Sequence, residues 1–115
     1  MKFMEIGNDR LYLAIRSLLF GEGDVRSRVV AACQIINKMS RNEIDHSLRL
    51  RLDALLIKAS KKAAILNADG NVLTGYDKFE VTAKHSQNRT YVSLAKDMYQ
   101  IYLDDLSVRD MAKRK

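Results

Sequence analysis

Between Ser40 and Leu66 the apolar residues return at helical spacing, and this stretch restricts the fold more than any other. Leu48, Leu52, Leu55, Ala59, Ala63 and Leu66 follow one another by four, three, four, four and three positions, which keeps them on one side of a helix. Just upstream, Ser40-Arg41-Asn42-Glu43 fits a capping box, in which a serine hydroxyl and a glutamate carboxylate each take a free backbone N–H at a helix start. The pattern predicts one long helix from about Ser40 to Leu66. Leu50, Ile57 and Ala64, each seven apart, form a second apolar stripe on the opposite side. A surface helix needs one apolar face, so two imply packing from both sides, within the domain or against another chain.

Three further helices follow from caps and stripes. The first begins after Asn8 or Asp9 and stops at Gly21, with Leu11, Ile15 and Leu18 inward and Tyr12 and Leu19 widening the stripe. Asp24 caps a second that runs to Lys38 or Met39 and turns Val25, Val29, Ala32, Cys33 and Ile36 to the core. Past Leu66, the turn formers of Asn67-Ala68-Asp69-Gly70-Asn71 lead into short β-branched and aromatic runs, Val72-Leu73-Thr74 and Phe79-Glu80-Val81-Thr82. These predict a loop with at most a small hairpin. Asn88 or Thr90 then caps a last helix, about Tyr91 to Leu106, with Val92, Ala95, Met98, Tyr99, Tyr102 and Leu106 inward. The expected architecture is mainly α: a compact bundle of about four helices, with an irregular or hairpin-containing insertion before the last.

The 115 residues contain no proline and five glycines, which favours helices joined by short connections. No repeat, linker or compositional shift divides them, so residues 1–115 read as a single helical domain. One cysteine, Cys33, excludes an intramolecular disulfide framework and fits a reducing compartment. The absence of a signal-peptide pattern and of a long apolar run gives an expected cytoplasmic location without a membrane.

Several chemistries find no support. Aligning Gly70 with the invariant glycine of a calcium loop places Ile65 and Tyr76 where a carboxylate and a bidentate glutamate are needed, so a plain turn is expected. His46 and His85 have no second ligand one helical turn away, and no metal is expected. Ser86 beside His85 is adjacency in sequence, not the geometry of a nucleophile and base. No glycine-rich phosphate loop occurs, and no cofactor is expected. Asp104-Asp105 reads as a solvated helix face, and Cys33 as a small core side chain. No catalytic residue is assigned, and the chain reads as non-enzymatic.

Charge carries the remaining signal. Twenty Lys and Arg against fourteen Asp and Glu give +6, with ten basic and seven acidic residues in both 1–60 and 61–115. Neither half is a basic arm, so any patch must be made by folding. Arg51, Lys58 and Lys62, with Lys61 further round, line one side of the expected central helix. A second set comprises Lys84, Arg89, Arg109, Lys113, Arg114 and Lys115. Together these ten are the candidate nucleic-acid contacts of a regulatory protein that reads backbone charge. Tyr91 and Tyr76 are the candidates for base stacking. The alternative is a protein-binding module or small inhibitor that uses Leu50, Ile57 and Ala64 as its partner interface, a homodimer being one form of it.

Overall fold

A computed structural model describes residues 9–113, and these are mainly helical. In chain order they form α1 (Arg10–Phe20), α2 (Val25–Asn37), a 3-10 turn (Arg41–Glu43), α3 (His46–Lys58), α4 (Lys78–Lys84) and α5 (Asn88–Lys113). Five α-helices therefore stand where about four were expected, and no strand occurs among the described residues. No helix of the described residues is long and apolar enough to cross a membrane.

The first two helices follow their caps. Asp9 accepts the Leu11 N–H at 2.9 Å, while Asn8 lies outside the described residues. Asp24 accepts the Ser27 N–H at 3.0 Å. Gly21 follows α1 with an extended backbone, and a Cβ there would stand 2.4 Å from the Ser17 carbonyl oxygen, so the position requires glycine. Gly23 carries the turn into α2 at φ 93°, a conformation that disfavours side chains. Leu11, Ile15 and Leu18 are buried, but Leu19 is exposed. On α2, Val29, Ala32, Cys33 and Ile36 are buried.

The long central helix is corrected to 13 residues, His46–Lys58. The Ser40 capping box forms, with the Ser40 N–H donating to Glu43 Oε2 at 2.8 Å, yet it starts only the 3-10 turn. Ile44 then adopts an extended backbone and is buried, and Asp45 caps a fresh helix through the Ser47 N–H. At the other end the Ser60 hydroxyl donates to the Leu56 carbonyl at 2.7 Å, competing with helix continuation. The Lys62 N–H is taken by Thr82 Oγ1 at 2.8 Å. Leu48, Leu52, Leu55 and Ala59 are buried, whereas Ala63 and Leu66, past the helix, are exposed.

The expected hairpin reduces to one antiparallel bridge, Leu66 to Val72, and the Phe79-Glu80-Val81-Thr82 run is helical in α4. A second capping box overrides its β propensity: the Asp77 N–H donates to Glu80 Oε1 at 3.0 Å, and the Glu80 N–H to Asp77 Oδ1 at 2.8 Å. Asn67 closes the turn, its Oδ1 accepting from Asp69 and Asn71 N–H at 2.9 and 3.0 Å.

With 26 residues, α5 is roughly 39 Å long. Its buried side chains are Tyr91, Leu94, Met98, Ile101 and Asp105, while Val92, Tyr99 and Leu106 stand about 40% exposed. The inward stripe thus lies about one residue step round the helix from the expected one, roughly 100°. In the packed core α2 lies against α1, α4 and α5, and α5 against α1, α2 and α3.

Candidate functional site

The cations read from the sequence do not form one row. Arg51 is committed to Asp104 of α5, Nη1 to Oδ2 at 2.7 Å, and this pair holds Asp104 below the usual carboxylate range. Arg109 bridges Asp105, one turn earlier in α5, and Asp9, the cap of α1, and its Nη2 reaches the Glu43 carbonyl. Lys84 sits over the Tyr76 ring, 3.7 Å from its centroid. The Arg89 Nε donates to Gln87 Oε1 at 3.1 Å. Lys58 is exposed at the end of α3, and Lys61 and Lys62 are exposed in the coil beyond it. Lys113 is the last residue of α5, and Arg114 and Lys115 lie outside the described residues. Of the stacking candidates, Tyr91 is fully buried.

Two surfaces replace that row. The first spans α3 and α5. Arg51 meets Asp104 and Lys58 shares a groove with Asp97, so the helices run antiparallel. Leu48 and Leu52 on one, and Met98 and Ile101 on the other, point into the same core. Each helix also carries an apolar ridge turned away from that core into solvent, and the Arg51–Asp104 pair and the Lys58–Asp97 groove lie at the junction between the two helices. Leu50 and Ile57 form the α3 ridge, 54% and 67% exposed. Val92, Tyr99, Leu103 and Leu106 form the α5 ridge, since seven-, four- and three-residue steps keep them in one sector. The third expected interface residue, Ala64, is corrected: it lies in the coil after α3.

The second surface is a hollow of about 540 Å³ between the end of α3 and the start of α4. Lys61, Lys62 and Lys78 rim it, and Ala63, Ala64, Val72 and Phe79 contribute its apolar lining. Lys78 carried no signal in the sequence because the segment read as β. Recognising Asp77-Lys78-Phe79-Glu80 as a capping box would have revealed α4 and, with it, this lysine.

The Ser86 hydroxyl donates to the Thr82 carbonyl at 2.6 Å. His46 opens α3 and His85 caps α4, both exposed. No group of three or more His, Cys, Asp or Glu residues placed to hold a metal ion occurs among the described residues. The expectation of a solvated pair at Asp104-Asp105 holds for Asp104 alone: Asp105 is 3% exposed and burial pushes its carboxyl up against the pull of Arg109.

Cys33 is 0% exposed, and burial, with the nearby charge of Asp77, pushes its thiol up to about 12. Its thiolate fraction at pH 8 is then roughly a thousandfold below that of an ordinary cysteine. Titration of the native protein with a disulfide reagent should find this thiol almost inert, and denaturant should release it. Rapid native labelling would show that Cys33 is not held in the core.

Compared with known proteins, the chain matches no family model, no curated protein and no solved structure.

Proposed function

We propose that this protein is a non-enzymatic interaction module that pairs with a second copy of itself through the α3/α5 face. The observation that carries this reading is the pair of exposed apolar ridges, Leu50 and Ile57 on α3 and Val92, Tyr99, Leu103 and Leu106 on α5, on either side of the Arg51–Asp104 pair.

Charge favours a second copy over a nucleic acid here. Arg51, Lys58 and Lys96 stand among Asp97 and Asp104 on this side, and Arg51 is neutralised by Asp104. A nearly balanced face suits an identical face across a twofold axis, whereas phosphates need uncompensated cations. Arg51 and Arg109, both candidate phosphate contacts, already have carboxylate partners.

Light scattering at about 100 µM should give the mass of two chains, dissociating on dilution. The double variant Ile57→Lys, Leu103→Lys should remain one chain with unchanged helicity, because both side chains are exposed. A one-chain mass for the wild type at that concentration would overturn the proposal.

A further inference from the structure

We infer that the lysine-rimmed hollow beside α4 is a docking site for an extended acidic peptide of a partner protein, anchored by aliphatic side chains. The inference is independent of the self-pairing proposed above, which uses a different surface.

The hollow is held in shape. Thr82, 4% exposed, accepts the Lys62 N–H at 2.8 Å and donates to the Lys78 carbonyl at 2.8 Å. One buried hydroxyl thus ties together the two segments that carry the lysines. The carboxylate in the lining, Asp77, is already engaged: it accepts from the Glu80 N–H at 2.8 Å and from Gln34 Nε2 at 2.7 Å. Lys61, Lys62 and Lys78 make no ion pair with any described residue, and the Lys78 ammonium rests 5.3 Å from the Phe79 ring centroid. Three lysines without ion-pair partners against the one carboxylate of the lining leave the hollow net positive beside its apolar lining, complementary to carboxylates spaced along an apolar segment.

The neighbouring excursion supplies the apolar half of the match. Ile65, Leu66, Val72 and Leu73 are 41% to 56% exposed, although their backbone is fixed. The Ile65 N–H donates to the Tyr76 carbonyl at 3.0 Å, Leu73 to Ile65 at 2.8 Å and Asn67 to Asn71 at 2.8 Å. Hydrogen bonds, not burial, hold these side chains out in water. The last two bonds flank the Leu66–Val72 pair instead of joining it, so the N–H and C=O groups of both residues point outward, as in any non-hydrogen-bonded antiparallel pair. Such an edge accepts an added extended chain, whose alternate side chains then meet the aliphatic cluster and the lysines.

A nucleic acid fits the same cations less well. Base stacking needs free aromatic faces, but Lys84 covers Tyr76, and Phe79 and Tyr91 are buried. The surface next to the lysines is aliphatic.

The test is fluorescence anisotropy with a labelled short peptide alternating Glu with Leu and Ile. Parallel arms use a Glu/Ser peptide, a Lys/Leu peptide, labelled oligo-dT and vesicles containing anionic phosphatidylglycerol. The Glu/Leu/Ile peptide should bind, and the other arms should bind at least about tenfold more weakly or not at all. Lys61→Glu with Lys78→Glu, and separately Leu66→Ser, should each weaken binding at least about tenfold. Both variants change exposed side chains, and circular dichroism confirms their fold. Lys96→Glu, on the α3/α5 side, should leave binding unchanged, as should the one-chain Ile57→Lys, Leu103→Lys variant. Oligo-dT or vesicles binding as tightly as the peptide, no binding at about 500 µM peptide, or indifference to the lysine and leucine changes would each overturn the inference.

Discussion

Replacing Tyr91 with alanine should cost the fold about 3–5 kcal/mol, a large part of the 5–15 kcal/mol, roughly, that a domain of this kind possesses. Tyr91 stands in the first turn of α5, is 1% exposed and is the largest of the fully buried side chains. It reaches towards Cys33 of α2 and the Ser86 junction, where burial pushes its phenol up. Truncation there opens a cavity between two helices that cannot readily collapse, because α2 is also packed on α1 and α4. Phenylalanine should behave differently. The Tyr91 hydroxyl is buried without a hydrogen-bond partner of good geometry, Ser86 lying near enough only to offset part of the effect of burial. Tyr91→Phe should therefore be neutral or mildly stabilising, within about 1 kcal/mol. Urea denaturation measures both, and an alanine variant as stable as wild type would remove Tyr91 from the core.

Tyr91 also shows where sequence reasoning loses its hold. The periodicity of α5 gives a helix, but two apolar stripes compete for the inside: Tyr91, Leu94, Met98 and Ile101, and Val92, Tyr99, Leu103 and Leu106. Only tertiary packing chooses between them, and α2 selects the first. The second is left in solvent and is the α5 ridge of the proposed self-pairing face. On α3 the same ambiguity was legible, since Leu50 and Ile57 stood opposite the leucine stripe, and both are exposed.

The caps of the first two helices were legible because an Asp preceded each apolar stripe: Asp24 stood alone before α2, and Asp9 was one of two candidates, with Asn8, before α1. Caps misled where two signals overlapped. Ser40 reads as the start of the helix that Asp45 actually starts, because nothing in the sequence shows that Ile44 turns into the core between them. Likewise the four-and-three spacing continues through Ala63 and Leu66 after the helix has ended. The termination depends on Ser60 and on Thr82, the latter 20 positions from the Lys62 N–H it accepts. A long-range hydrogen bond leaves no periodic trace. The lysine-rimmed hollow, assembled by that bond, was therefore not visible before the fold.

Removing the Arg109 guanidinium should cost about 2–3 kcal/mol at neutral pH, below the roughly 3–5 kcal/mol for breaking a fully buried ion pair, since Arg109 itself is 38% exposed while Asp105 is nearly enclosed. Arg109 joins three parts of the chain: the start of α1 at Asp9, the 3-10 turn at the Glu43 carbonyl, and α5 at Asp105. In Arg109→Ala the Asp105 carboxylate stays buried without its cation. The pH dependence has a definite sign. Burial already raises Asp105 above the ordinary carboxylate range, and Arg109 is the chief influence lowering it, so the variant should raise it further. A carboxyl whose folded value is raised supports the fold while it is protonated, below the ordinary range, and that support is lost as pH rises through the raised value. The stability gap between wild type and Arg109→Ala should therefore be widest at neutral pH and narrow on acidification, as both proteins come to hold Asp105 neutral. Adding Asp105→Asn to Arg109→Ala should recover part of the neutral-pH loss. Denaturant titrations at a series of pH values decide the matter: a gap that is constant, or that widens in acid, would show that Arg109 acts through packing and its other contacts instead of through the buried charge of Asp105.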